Sequence, residues 1–112
     1  MDEKWSAVSL TVDGDPEYLV YLRDVLGLAR GKRSEASSID FRDARTVGDK
    51  VAAAADFVSR HTAELVDPRV SDAIIRVGWT PRSPQDGLFL DVETIAALYR
   101  ARCSIAIDTY LD

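Results

Sequence analysis

Apolar and polar residues alternate along WSAVSLTV, residues 5–12, placing Val8, Leu10 and Val12 opposite Ser9 and Thr11. A period of two predicts a half-buried strand. The period then changes. Gly14 offers a turn, Asp15 an N-cap, Pro16 a first helical position and Glu17 an acid in the first turn, so a helix starts here. Tyr18, Leu22, Val25, Leu26 and Ala29 share one side of its wheel, Val20 and Tyr21 lie off that stripe, and Gly27 or Gly31 can end it. Residues 31–38, GKRSEASS, are polar and locally basic and predict a loop.

SIDFRD at 38–43 alternates weakly, with Ile39 and Phe41 on one face, and predicts a short strand. The strongest helical pattern follows over residues 46–65. Thr46 can cap it, with Asp49 as the acidic partner three residues on, and Val47, Val51, Ala54, Ala55, Val58 and Leu65 share a side. Asp67-Pro68 ends it. DAIIRVGW at 72–79 is a second clear strand, with Ala73, Ile75, Val77 and Trp79 opposite Ile74 and Arg76. TPRSPQDG breaks it with two prolines and a glycine. GLFLD at 87–91 predicts a short strand returning beside 73–79 as a hairpin. Asp91 then caps a third helix, whose expected buried stripe is Val92, Ile95, Ala96 and Tyr99. The last strand has Ile105 and Ile107 facing one way and Ala106, Asp108 and Tyr110 the other.

Strands apolar on one side and mixed on the other pair most simply into a sheet covered on one face. The expectation is therefore an α+β fold, a ferredoxin-like two-layer sandwich. It has a largely antiparallel sheet of four to five strands with three helices on one face, in a single domain over residues 1–112. The uncovered face would display Ser9, Thr11, Ile74, Arg76, Phe89, Ala106, Asp108 and Tyr110.

A chain of 112 residues that is 46% hydrophobic can build one core without a staple. Fourteen Lys and Arg against 19 Asp and Glu give a net charge of −5 with the two signs interspersed. A backbone-reading nucleic-acid binder needs a basic stripe, so that class is disfavoured. Cysteine and histidine each occur once, as Cys103 and His61, which rules out an internal disulfide and a Cys/His zinc site. The start MDEKWSAVSL does not read as a signal peptide, and no apolar run approaches the roughly 20 residues of a membrane span. A cytoplasmic location, no membrane and no cofactor are the expectations.

The stretch GLFLDVETIAALYRARCSIAIDTYLD, residues 87–112, with its Ile105, Ile107, Asp108, Tyr110 pattern, resembles the end of the bacterial domain-of-unknown-function family numbered 4279. Leu26-Gly27-Leu28 at the end of the first helix is also similar. The chain departs from that pattern over 31–45, where relatives carry a Trp-containing stretch and only Gly31-Lys32-Arg33 and Phe41 stand here. The resemblance implies a small α+β domain and supplies no catalytic residues.

Candidate chemistry is sparse. His61 flanks the apolar stripe of the long helix near Arg60 and Glu64, with no nucleophile tied to it by sequence, and reads as a half-exposed helix residue. Cys103 follows Arg100 and Arg102, the electropositive setting a reactive thiolate prefers, yet alternation groups it with Ile105 and Ile107 in the core. Asp13 and Asp15 begin like a calcium loop but lack its closing Glu, and a turn and cap explain both. Gly31-Lys32-Arg33 has no phosphate-loop spacing. Arg76 and Asp108 are more informative, since both point to the mixed face of near-adjacent strands. They read either as a solvated cross-strand ion pair or, with Ile74, Phe89 and Tyr110, as an interface platform. The expected binding residues are thus Ile74, Arg76, Phe89, Asp108 and Tyr110. The expected function is a non-enzymatic module binding a protein partner or itself, one version being an immunity-type protein that neutralises a toxin. The rivals are a ligand-binding or catalytic domain with a pocket near Tyr99, Tyr110 and His61, and a structural homodimer.

Overall fold

The N-terminal alternation folds as β1 (Trp5–Gly14), and the capped segment after it as α1 (Pro16–Leu26). Then come β2 (Ala29–Arg30), β3 (Ser37–Asp40), α2 (Val47–Arg60), a single turn α3 (Thr62–Leu65), β4 (Val70–Thr80), α4 (Val92–Arg100) and β5 (Ser104–Thr109). The computed structural model describes residues 5–31, 36–83 and 87–110. The local signals act as chemistry requires. Asp15, Thr46 and Asp91 accept from the backbone N–H groups of Tyr18, Asp49 and Thr94, and Gly27 closes α1 with φ of 75°.

The five strands form one sheet in the order β2-β3-β1-β4-β5. β1 is central and antiparallel to both β3 and β4, β2 is antiparallel to β3, and β4 runs parallel to β5. The molecule is therefore α+β with a mixed sheet, and the expected ferredoxin-like pattern is met only that far. The expected strand at 87–91 does not form. Both edges of β4 are already occupied, by β1 and β5, so a hairpin strand has nothing to pair with. Leu88 and Leu90 pack against the core instead, while Phe89 is 85% exposed and lies outside the sheet.

One core cluster unites the sheet's inner face (Val8, Leu10, Val12, Ala73, Ile75, Val77 and Trp79) with α1, α2, α3 and α4. The stripe expected on α2 is buried, with Phe57 added to it. The helix expected to run on to Leu65 is interrupted at His61. There the Thr62 hydroxyl donates back to the carbonyls of Val58 (3.2 Å) and Ser59 (3.1 Å), a contact that bends helices. On α1, Leu19 is buried and Val25 is 46% exposed, a rotation of the expected face by less than one residue. On α4 the reversal is larger. Val92, Ile95 and Tyr99 are exposed, and Ala97, Leu98 and Ala101 are buried. Ala97 faces a seam with Ala52 and Ala55 of α2, and such a close helix approach selects the alanine side over the bulky one.

A latch joins the β1–α1 turn to the start of β4. Arg69 donates through its backbone N and its Nε to Asp67 Oδ1 and through Nη2 to Oδ2, each at 2.9 Å. Its guanidinium lies 4.1 Å from the centre of the Tyr18 ring, whose hydroxyl donates to the Glu64 carbonyl at 2.7 Å. Arg69 beside Asp67 holds that carboxyl down to about 2 from 3.8. A lowered folded-state value stabilises the protein above the unfolded value and is lost as pH falls through the folded one. Stability is therefore expected to decline between about pH 4 and 2. Asp67→Asn is expected to flatten that acid limb in urea unfolding measured against pH; an unchanged limb would show that the latch contributes nothing.

Candidate functional site: the open sheet face

Residues of β1, β4 and β5 that point away from the helices assemble in cross-strand rows. Thr11, Ile74 and Ser104 form one row; Ser9, Arg76 and Ala106 the next; Ala7, Gly78 and Asp108 a third. From β3, Ser38 and Asp40 extend the first two rows. No helix covers this side, since every helix contributes to the single core on the other. Small and hydroxyl side chains make the floor flat, and the large groups stand at specific places on it.

Four of the five expected binding residues are brought together. Arg76, Asp108 and Tyr110 are exposed and Ile74 is half-buried, all on this face or at its end. Phe89 is the exception, because it needed a strand at 87–91 to reach the sheet. Arg76 and Asp108 are not an ion pair. Arg76 stands opposite Ala106 and Asp108 opposite Gly78, so the two are diagonal neighbours, and neither has a charged partner among the described residues.

Two site residues escaped the sequence reading. Trp5 lies at the start of β1, half-exposed, and its ring meets that of Tyr110 edge to face with centroids 5.8 Å apart and planes at 76°. Gly78 makes room for this pair. A Cβ there would stand 3.0 Å from the Trp5 ring and 3.5 Å from that of Tyr110. Tyr110 is fixed in turn by its backbone N–H donating to the Trp79 carbonyl at 2.8 Å. A glycine inside an otherwise apolar strand was the available signal, since it marks close approach of another group.

The other candidates fall elsewhere. Cys103 is buried, and burial pushes its thiol up to about 11, which leaves it protonated and unreactive at neutral pH. His61 stacks on Phe57 with centroids 4.7 Å apart, and its Nδ1 is 3.9 Å from Glu64 Oε1, beyond hydrogen-bond reach. Tyr99 sits on the outer flank of α4, Tyr110 on the open face and His61 at the α2–α3 junction. The pocket expected among these three does not exist. A concavity of about 670 Å³ lies instead beside Tyr18, Glu64, Asp67 and Arg69. Its Arg69 and Asp67 are already joined to each other, so the charges there serve the latch. Among the described residues no cluster of acids, His or Cys is arranged to hold a metal ion, and no helix is long and apolar enough to cross a membrane. Among the described residues neither His61 nor Cys103 is placed as a nucleophile and base pair. No family model, curated protein or solved structure matches this chain.

Proposed function

We propose that the protein is a non-enzymatic protein-interaction module that binds another protein through its open sheet face. The observation that carries this reading is the exposed Trp5–Tyr110 pair beside an Arg76 and an Asp108 that have no charged partner among the described residues. Trp, Tyr and Arg are the residues in which interface energy concentrates, and a guanidinium with no carboxylate beside it among the described residues can take one from a partner. The net charge of −5 favours a partner with a basic surface through steering of the encounter. Neutralisation of a basic toxin in the cytoplasm is the version we favour, and membership of family 4279 is proposed with it, adding no catalytic residue.

The test places a photo-cross-linking residue at Thr11, on the central strand of the face, and as a control at Ala53 on the exposed side of α2. In cells producing the protein, Thr11 is expected to give a discrete adduct with a different polypeptide. That adduct should disappear in an Arg76→Glu, Tyr110→Ala variant, whose loss of about 2 kcal/mol or more corresponds to at least roughly thirtyfold weaker binding. Adducts of equal yield at Ala53, or none at Thr11, would remove the sheet face from consideration.

A further inference from the structure

On α4 the exposed side is the more hydrophobic one. Val92 is 76% exposed, Ile95 54% and Tyr99 83%, and Phe89 just before the helix is 85% exposed. At about 100° per residue, Ile95 and Tyr99 lie about 160° around the helix from Ala97 and Val92 about 140° from it. Ala97 faces α2, so these three form the flank turned away from α2. That flank carries no charged residue, because Glu93 and Arg100 border the α2 seam. A helix apolar on two opposite sides has a second face that burial would stabilise.

The strand that follows α4 is equally incomplete. β5 forms one edge of the sheet, bonded on one side to β4 and, among the described residues, on the other to no strand. Its register sets Ile107 opposite Val77, so Ile107 points to the helix side, yet it is 42% exposed. An open edge six residues long beside an uncharged apolar flank is the kind of edge that folded proteins pair or cover.

We propose that β5 and the outer flank of α4 form a twofold interface with a second copy of this chain, β5 pairing antiparallel with its counterpart and the two α4 flanks meeting across the join. The fit is self-complementary, as a twofold axis demands. With the axis at Ala106, Ile105 of one copy stands opposite Ile107 of the other on the helix side. Ser104 then stands opposite Asp108 on the open side, where a hydroxyl can donate to a carboxylate. The area suffices. Taking ~150–250 Å² per aromatic and somewhat less per aliphatic, the five exposed side chains present about 600 Å² per copy. Two copies would bury about 1,200 Å² before the paired backbone is counted, the lower bound for a stable association. A patch of this size stands at the upper end of what a monomer ordinarily leaves in water. The two surfaces meet at Ser104 and Asp108 on the sheet edge, but the α4 flank and Ile107 belong to this one alone and Arg76, Trp5 and Tyr110 to the other.

Sedimentation velocity of the full chain at micromolar concentration is expected to give the mass of two chains. Ile95→Glu with Tyr99→Glu is expected to give the mass of one, with circular dichroism and melting temperature of the monomer intact because both positions are exposed. Ile107→Lys is expected to weaken the dimer at least tenfold, and Arg76→Glu with Tyr110→Ala to leave it unchanged. A monomeric native chain would overturn the proposal, whether or not a different protein occupies the flank. So would a dimer that survives the α4 substitutions or is lost only with the open-face pair.

Discussion

Gly14→Ala is expected to destabilise the protein by about 3 kcal/mol or more, combining overpacking with backbone strain. Gly14 has φ of 158°, and a Cβ on it would fall 2.2 Å from the Arg69 carbonyl oxygen and 3.0 Å from Val70 Cα. These are backbone atoms that no rotamer change can move aside. The same carbonyl accepts from the Asp15 N–H at 2.8 Å, and the β1–β4 register shifts between Asp13 and Gly14. Relieving the clash means giving up that bond, the cap region of α1 and the Arg69 latch together. Denaturant unfolding measures the loss directly. Gly48, inside α2 with nothing within 4 Å of its would-be Cβ, is the internal comparison. There Gly→Ala should stabilise by about 0.5–1 kcal/mol through helix propensity. Equal effects at the two positions would contradict the account of Gly14.

Leu10→Ala is expected to cost about 3–5 kcal/mol. Leu10 is 0% exposed and belongs to the central strand, where it pairs with Ile39 on one side and Ile75 on the other. The site cannot collapse around the lost atoms, since hydrogen-bonded strands fix its flanks and helices close it from above. A domain of ordinary stability has about 5–15 kcal/mol in total, so urea unfolding should show a large shift of midpoint with little change of slope. A cost under about 1.5 kcal/mol would mean that the core is loose enough to refill the space.

Much of the fold was legible because the alternation of β1, β4 and β5 fixes which residues face the helices, and that prediction holds residue by residue from Val8 to Trp79. The caps at Asp15, Thr46 and Asp91 were legible for a similar reason, each being a local chemical event. The failures lie where the outcome depends on distant partners. Whether 87–91 is a strand depends on which edge of β4 remains free, and β5 takes it. Which side of α4 is buried depends on how near α2 can come, and the wheel holds apolar residues on both sides. β2 is two residues long and exists only because β3 offers it an edge. In the candidate site, Ile74, Arg76, Asp108 and Tyr110 followed from alternation alone. Trp5 did not, because its place depends on the gap left by Gly78 on the neighbouring strand β4, far along the chain.

The central place of β1 has a consequence for how the chain is made. Its ten residues bond to β4 in a register that joins Trp5 to Thr80 and Val12 to Ala73. On a ribosome adding about 5–20 residues per second, the middle strand of the sheet waits several seconds for its longest partner. During that time Val8, Leu10 and Val12 have the short β3 and the helices α1 and α2 to shield them, but not β4. Contacts so distant along the chain also slow folding itself, towards the millisecond-to-second range. The period of greatest exposure to proteases, chaperones and misassociation therefore falls before residue 80 emerges, and is set by the order in which the strands are synthesised.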